Sequence, residues 1–160
     1  MPETTPKQKV ERVKMFGGDF IEIILVGDTF DDAQEEAQKQ LNNDSVFIHP
    51  FDDKEVIEGQ GTVALEILDQ IDKHFDYLVI PIGGGGLIAG IISVFKELSP
   101  KTKIIGVEAQ GAPAMSDSLK QNKIIELKKI DNFVDGVSIK KIGGIPFEIC
   151  KEHLDCLLYT

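Results

Sequence analysis

The chain has 160 residues, 42% hydrophobic and 28% charged, the proportions of an ordinary soluble globular domain with enough length to bury a core. Its formal net charge is -10, from 27 acidic and 17 basic residues, and Arg12 is the single arginine; both nucleic acid and anionic membrane demand basic surface and are excluded as partners. No apolar run approaches the ~20 residues of a membrane span, and the opening "MPETTPKQKV" has no apolar signal core, so the expected location is the cytoplasm.

In chain order, Thr5 reads as an N-cap and Pro6 as the first turn of a helix carrying Val10, Val13 and Met15, which Gly17-Gly18 stops. "FIEIILVG" (20–27), rich in Ile and Val, reads as a buried strand. Asp28-Thr29 then caps a polar helix to about Leu41, with Phe30, Ala33, Ala37 and Leu41 on one face. "SVFIHP" (45–50) reads as a short strand stopped by Pro50, and 55–74 as a helix. After it come a strand at 77–82, a helix at 87–98, a strand at 103–108 and a helix at 112–121 opened by Pro113. The last forty residues are less regular, with short strands expected at 124–127 and near 157–159 and a helix from about 146 to 153. This rhythm predicts an α/β fold, a mostly parallel sheet covered by helices on both faces. A boundary is expected near Pro50-Phe51-Asp52-Asp53, where a strand ends and polar residues cluster.

The most informative stretch is "PIGGGGLIAG" (81–90), four glycines between a strand and a helix. Glycine loses the most backbone freedom on folding, so four together answer a demand. Ligands of parallel α/β sheets sit at the carboxyl ends of strands. A helix that starts there offers unsatisfied N–H groups and roughly half a positive charge, a site for phosphate. The bland alternative is a plain βα turn, for which one or two glycines suffice. Two phosphate ligands compete on spacing alone. Gly84, Gly86 and Ala89 match the dinucleotide pattern G-x-G-x-x-[GA], with Glu108 where the ribose-binding acid would stand, although at least two strand–helix units precede it.

Other residues read more plainly. Asp52 and Asp53 suit a helix-entry cap and a solvated acid; Gly59-Gln60-Gly61-Thr62 inside a helical pattern suggests close packing. Glu108 reads as a solvated strand end or a group near a ligand. His49, His74 and His153 are too scattered for a metal cluster and read as surface or core histidines. Cys150 and Cys156 fit a reduced protein, with a disulfide across six residues left open.

Taken with "GDTFDDA", "FIHPFDD", "EVIEGQGTVALEIL", "KIIGVEAQGAPAM" and "IDNFVDGVSIKKIG", the glycine stretch resembles the threonine/serine dehydratase group of fold-type II pyridoxal-phosphate enzymes, along essentially the whole chain. The resemblance implies a tryptophan synthase beta-like fold, here partial: the end of the small domain at 1–50 and part of the large cofactor-binding domain at 51–160. It implies that Gly83, Gly84, Gly85 and Gly86, with the Leu87 amide, cradle the 5'-phosphate of pyridoxal 5'-phosphate. The implied reaction is deamination of L-threonine to 2-oxobutanoate and ammonia, in isoleucine biosynthesis or threonine catabolism, by a homo-oligomeric parent enzyme acting on a small amino acid. Serine dehydratase or racemase is the neighbouring reading; a non-catalytic nucleotide- or phosphate-binding module is the reading outside the class. Asp135-Gly136 resembles the family's turn near the cofactor. Some members hold a divalent cation with the glutamate matching Glu108 and an aspartate six residues on; Ala114 stands there, so no metal is expected. None of the sixteen lysines has the S-F-K-x-R-G-A-like setting of the family's catalytic lysine, and no catalytic residue is assigned. The chain is therefore expected to be an inactive fragment of such an enzyme.

Overall fold

The structure, a computed structural model, describes residues 1–160 and every side chain except that of Asn132. Two compact units divide it, Met1–Phe47 and Ile48–Thr160.

The first unit holds α1 (Lys7–Gly17), a 3-10 turn (Gly18–Phe20) and α2 (Phe30–Lys39). Pro6, not Thr5, occupies the N-cap of α1, at φ -53° and ψ 133°. Proline's fixed φ and missing N–H suit the point where the chain enters a helix. Gly18 ends α1 at φ +53°, a left-handed value that glycine adopts without strain. At α2 the Thr29 hydroxyl accepts from the Asp32 amide at 3.3 Å and the Asp32 carboxylate accepts from the Thr29 amide at 2.9 Å, a capping box.

The strands expected at 20–27 and 45–50 do not form. Residues 21–26 join no sheet and none is buried; Met1–Thr4 lie beside their end, with Val26 N donating to Met1 O at 2.9 Å and Glu3 N to Gly27 O at 2.8 Å. Residues 45–49 carry no regular structure, and Val46 is 86% exposed. Ile and Val favour strands because they fit a pleated, half-buried surface, and within this unit no neighbouring strand supplies one.

The second unit runs α3 (Lys54–Gln70), β1 (Tyr77–Pro81), α4 (Gly86–Leu98), β2 (Lys103–Glu108), α5 (Ala114–Gln121), a 3-10 segment (Asn132–Val137), α6 (Gly144–His153) and β3 (Cys156–Tyr159). The three strands form one parallel sheet in the order β1-β2-β3, with Val79 opposite Ile105 and Ile105 opposite Cys156. Helices fill both crossovers, as parallel pairing requires. The strand expected at 124–127 is reduced to a single antiparallel bridge, Glu126 to Lys141.

Successive side chains of a strand point to opposite faces. Leu78, Ile80 and Ile104 lie on the face that packs with the core, alongside Ile88, Ile92 and Phe95 of α4, Met115 of α5 and Phe147 of α6. Tyr77 and Val79, on the other face, are 59% and 60% exposed. Within this unit the sheet is therefore covered by helices on one face, not on both as its rhythm suggested.

Helices α3 and α4 meet at their glycines. A Cβ on Gly90 would stand 2.6 Å from the Gly61 amide nitrogen, so the two backbones touch where the "GQGT" pattern foretold close packing. Gly59 faces open space and takes no part in this contact. On the far side of α4, Asp155 accepts from the Lys96 ammonium at 2.8 Å and the Ile104 amide at 2.9 Å, tying α4, β2 and the entry to β3. Burial raises the Asp155 carboxyl, but the bonds from Lys96 and Ile104 and the charges of Lys96 and Lys103 outweigh it and hold the group below its usual range.

Candidate functional site

Strand β1 and α4 are joined by the glycine run. The Ile82 amide donates to Val107 O at 2.8 Å and so carries the ladder one residue past β1. Gly85 is the N-cap of α4, at φ +96°, and brings no side chain to cap it. The next amide to find a partner is that of Ala89, which donates to Gly85 O at 2.9 Å. Between them the N–H groups of Gly83, Gly84, Gly85, Gly86, Leu87 and Ile88 donate to nothing among the described residues.

Gly85, Gly86 and Ile88 are buried residues. Unpaired N–H groups in buried backbone are rare and costly, and a run of them at a helix start adds the positive end of the helix dipole. The arrangement is that of an anion-binding concavity. All five residues to which the sequence pointed, Gly83 to Gly86 and Leu87, belong to this run of unpartnered donors, whose chemistry suits an anion such as phosphate.

Packing within the protein is by itself a reason for glycine at these positions. The space each Cβ would take is filled by protein. At Gly85 it would stand 2.5 Å from the Pro146 Cβ, at Gly86 3.0 Å from the Phe51 Cα, and at Gly83 3.0 Å from the Val137 Cα. A Cβ on Gly84 would run into the Phe51 ring. Close packing on the loop therefore forbids side chains whether or not an anion is bound. The end of the 3-10 segment that holds Asp135-Gly136 is what reaches Gly83.

Around the loop, Asp53 caps α3 by accepting from the Val56 amide at 3.1 Å. Asp52 does something the sequence did not reveal. Its carboxylate accepts from the Ile145 amide at 2.9 Å and so caps α6, whose own N-cap Gly143 has no side chain. The Gly143 amide in turn donates to Gly84 O at 3.1 Å, so α6 is pinned to the glycine loop. His49 Nδ1 accepts from the Asp52 amide at 2.8 Å and the Phe51 amide at 3.3 Å. A histidine just ahead of a proline and a helix cap was the available signal for this turn.

Glu108 is not solvated; its carboxylate turns inward to the start of α5. It is 2% exposed, and its two oxygens accept from the Met115 and Ser116 amides at 2.7 and 2.8 Å, capping α5 in place of a side chain on Pro113. Burial outweighs these bonds and pushes its carboxyl up to about 7. With both oxygens engaged, the acid that the dinucleotide pattern needs for a ribose is committed elsewhere. Burial, and then the Glu108 charge, push the Cys150 thiol up to about 12; Cys150 and Cys156 are both free. No group of three or more His, Cys, Asp or Glu among the described residues could hold a metal ion, and no helix is long and apolar enough to cross a membrane. A separate cleft of about 360 Å³ beside the ends of β2 and β3, lined by Gly111, Asp131, Phe133 and Thr160 among others, shares no residue with the glycine loop.

Comparison with known proteins agrees with this architecture. The family model described as pyridoxal-phosphate dependent enzyme matches residues 1–160. The chain is 56% identical over 156 residues to the L-threonine dehydratase biosynthetic IlvA of Halalkalibacterium halodurans, an alignment covering 97% of this chain and 38% of that protein. Among solved structures, the processed form of threonine deaminase isoform 2 from Solanum lycopersicum matches at 41% identity and a TM-score of 0.85, over 100% of this chain and 46% of that one. The maize serine racemase matches at 32% identity and a TM-score of 0.88, over 99% of this chain and 47% of that one. The chain thus spans about two-fifths of the length of the curated relatives it matches. A parallel sheet ending in an unpaired run of amides, with the family's pattern matched from first residue to last, makes this chain a member of the pyridoxal-phosphate dependent enzyme family.

Proposed function

We propose that this chain serves L-threonine dehydration, releasing 2-oxobutanoate and ammonia, and that its own part in that reaction is to hold the cofactor's 5'-phosphate. The observation that carries this reading is the run of six unpartnered amides, Gly83 to Ile88, at the start of α4. Gly83, Gly84, Gly85, Gly86 and Leu87 are the residues assigned to the phosphate. Their N–H groups are fixed before the anion arrives, because Phe51, Pro146 and Val137 hold the loop from outside and Gly143 holds Gly84 O. Preformed donors spend little reorganisation on binding. Bound there, pyridoxal 5'-phosphate would supply an electron sink for removal of the α proton and loss of the β hydroxyl. A phosphate held by these backbone amides would set where the rest of the cofactor lies.

Residues 1–50 are read as the end of the family's small domain and 51–160 as part of the large one. The description of the curated relatives as biosynthetic favours the route towards isoleucine, in the cytoplasm, with a homo-oligomeric enzyme acting on a small amino acid. No catalytic residue is assigned within these 160 residues.

The test is a chimera. The matching segment of the Bacillus subtilis relative, which is 48% identical over 159 residues, is replaced by this chain, and the 2-oxo acid products are assayed, 2-oxobutanoate from L-threonine and pyruvate from L-serine. The expected result is turnover of L-threonine that is lost without pyridoxal 5'-phosphate. A soluble, cofactor-loaded chimera that acts on L-serine but not on L-threonine would move the assignment to serine dehydration.

A further inference from the structure

We propose that His49 is a positioning residue for the glycine loop, acting through the turn at 49–53; this deepens the phosphate reading and rests on it. Two contacts reach the loop region from that turn. Phe51 lies against Gly84 and Gly86, close enough that a Cβ on Gly86 would stand 3.0 Å from the Phe51 Cα. Asp52 caps α6 through the Ile145 amide at 2.9 Å, and α6 reaches back through the Gly143 amide to Gly84 O at 3.1 Å. The loop is thus gripped from two directions by adjacent residues.

What sets the directions of Phe51 and Asp52 is His49. Its Nδ1 accepts from the amides of both, at 3.3 and 2.8 Å, and its ring stands edge-on to the Phe51 ring with centroids 4.6 Å apart and planes at 87°. An imidazole nitrogen that accepts carries no proton, so these bonds assign the ring proton to Nε2. The side-chain oxygen of asparagine sits at the same distance along its side chain as Nδ1 and makes the same kind of turn through its own backbone. Remove the acceptor and the amides of Phe51 and Asp52 lose the group that orients them. The Asp52 cap on α6 and the Phe51 wall then loosen together, and the carbonyl of Gly84 loses the fixed position of its donor. A small displacement of this kind suffices to degrade a site whose value lies in fixed donors.

The experiment compares wild type, His49→Ala and His49→Asn by amide hydrogen exchange in the ligand-free chain, and then by titration with inorganic phosphate. In His49→Ala the Gly143 and Ile145 amides should exchange about tenfold faster, while the Ile82 amide, bonded to Val107 O in the sheet, stays within about twofold of wild type. His49→Asn should restore both slow amides. Phosphate affinity should fall about five- to tenfold in His49→Ala and return in His49→Asn. If His49→Ala does not fold, His49→Phe, which keeps the ring contact and lacks the acceptor, takes its place. Unchanged exchange at Gly143 and Ile145, failure of asparagine to restore it, or equal phosphate affinity in wild type and His49→Ala would each overturn the proposal. Absence of phosphate binding in wild type would sink the anion reading instead, and the exchange pattern would still decide whether His49 sets the loop.

Discussion

Glu108 shows how much a single residue's setting matters. As a letter at the end of "GVE" it could be a solvated acid, a ribose ligand or a metal ligand. In the fold it is a buried cap, its oxygens 2.7 and 2.8 Å from two amides at the start of α5. Its folded value near 7 stands above the roughly 4.3 of a free glutamate. The folded chain therefore holds the proton more tightly than the unfolded one. The stability this contributes is present in full below about pH 4.3 and is lost as the pH rises through about 7, a change on the order of 3 kcal/mol. Glu108→Gln is neutral throughout and removes this dependence, at the constant cost of turning an NH2 group towards one amide. Urea denaturation of both proteins at pH 5 and pH 8 should show wild type losing about 2–3 kcal/mol relative to the variant. A difference that does not change with pH would mean that the two N–H bonds, not burial, control the group.

At the scale of elements, two glycines in helices that pack together should respond in opposite ways. Gly59 meets nothing within 4 Å, so Gly59→Ala adds helix propensity alone and should stabilise by about 0.5–1 kcal/mol. Gly90→Ala places a Cβ 2.6 Å from the Gly61 amide nitrogen, where backbone cannot move aside without parting α3 from α4. The expected cost is about 1–3 kcal/mol, the usual range for overpacking. Thermal unfolding of the two variants checks the pair, and a Gly90→Ala protein as stable as Gly59→Ala would show that the helices do not touch there.

The same scale explains what was legible in the sequence. Helices α3, α4 and α6 and strand β2 announce themselves locally, through apolar periodicity, the Asp53 cap and the Ile-rich "KIIGVE" run. Segments 20–27 and 124–127 have strand composition but no neighbouring strand, the latter keeping only the bridge from Glu126 to Lys141, and partners are not a local property. The tetraglycine was readable because its residues are consecutive. The support beneath it was not: Asp52 meets Ile145 across 93 positions of sequence, and nothing in "HPFDD" says which helix it will cap. Glu108 misled for the same reason, since its partners lie seven and eight residues on, in a helix whose approach the sequence does not fix.

At the scale of the whole molecule, the sheet presents Tyr77, Val79 and Leu158, each at least half exposed, on a face that the helices of its own unit leave uncovered. The site does not depend on that face. Its donors come from one loop, its supports from Phe51, Val137, Gly143 and Pro146, and all of these belong to the unit Ile48–Thr160. The anion cradle should therefore work in the chain as it stands, weakly, with an affinity near millimolar, about -4 kcal/mol. The most direct measurement follows the backbone amide resonances while phosphate, pyridoxal 5'-phosphate and NAD are added in turn. Saturable shifts at Gly83 to Ile88 with phosphate and with pyridoxal 5'-phosphate, and none there that depend on Glu108 when NAD is added, are the expected result. Amides at 83–88 that stay still at tens of millimolar phosphate, or that answer NAD only while Glu108 is intact, would contradict the phosphate cradle.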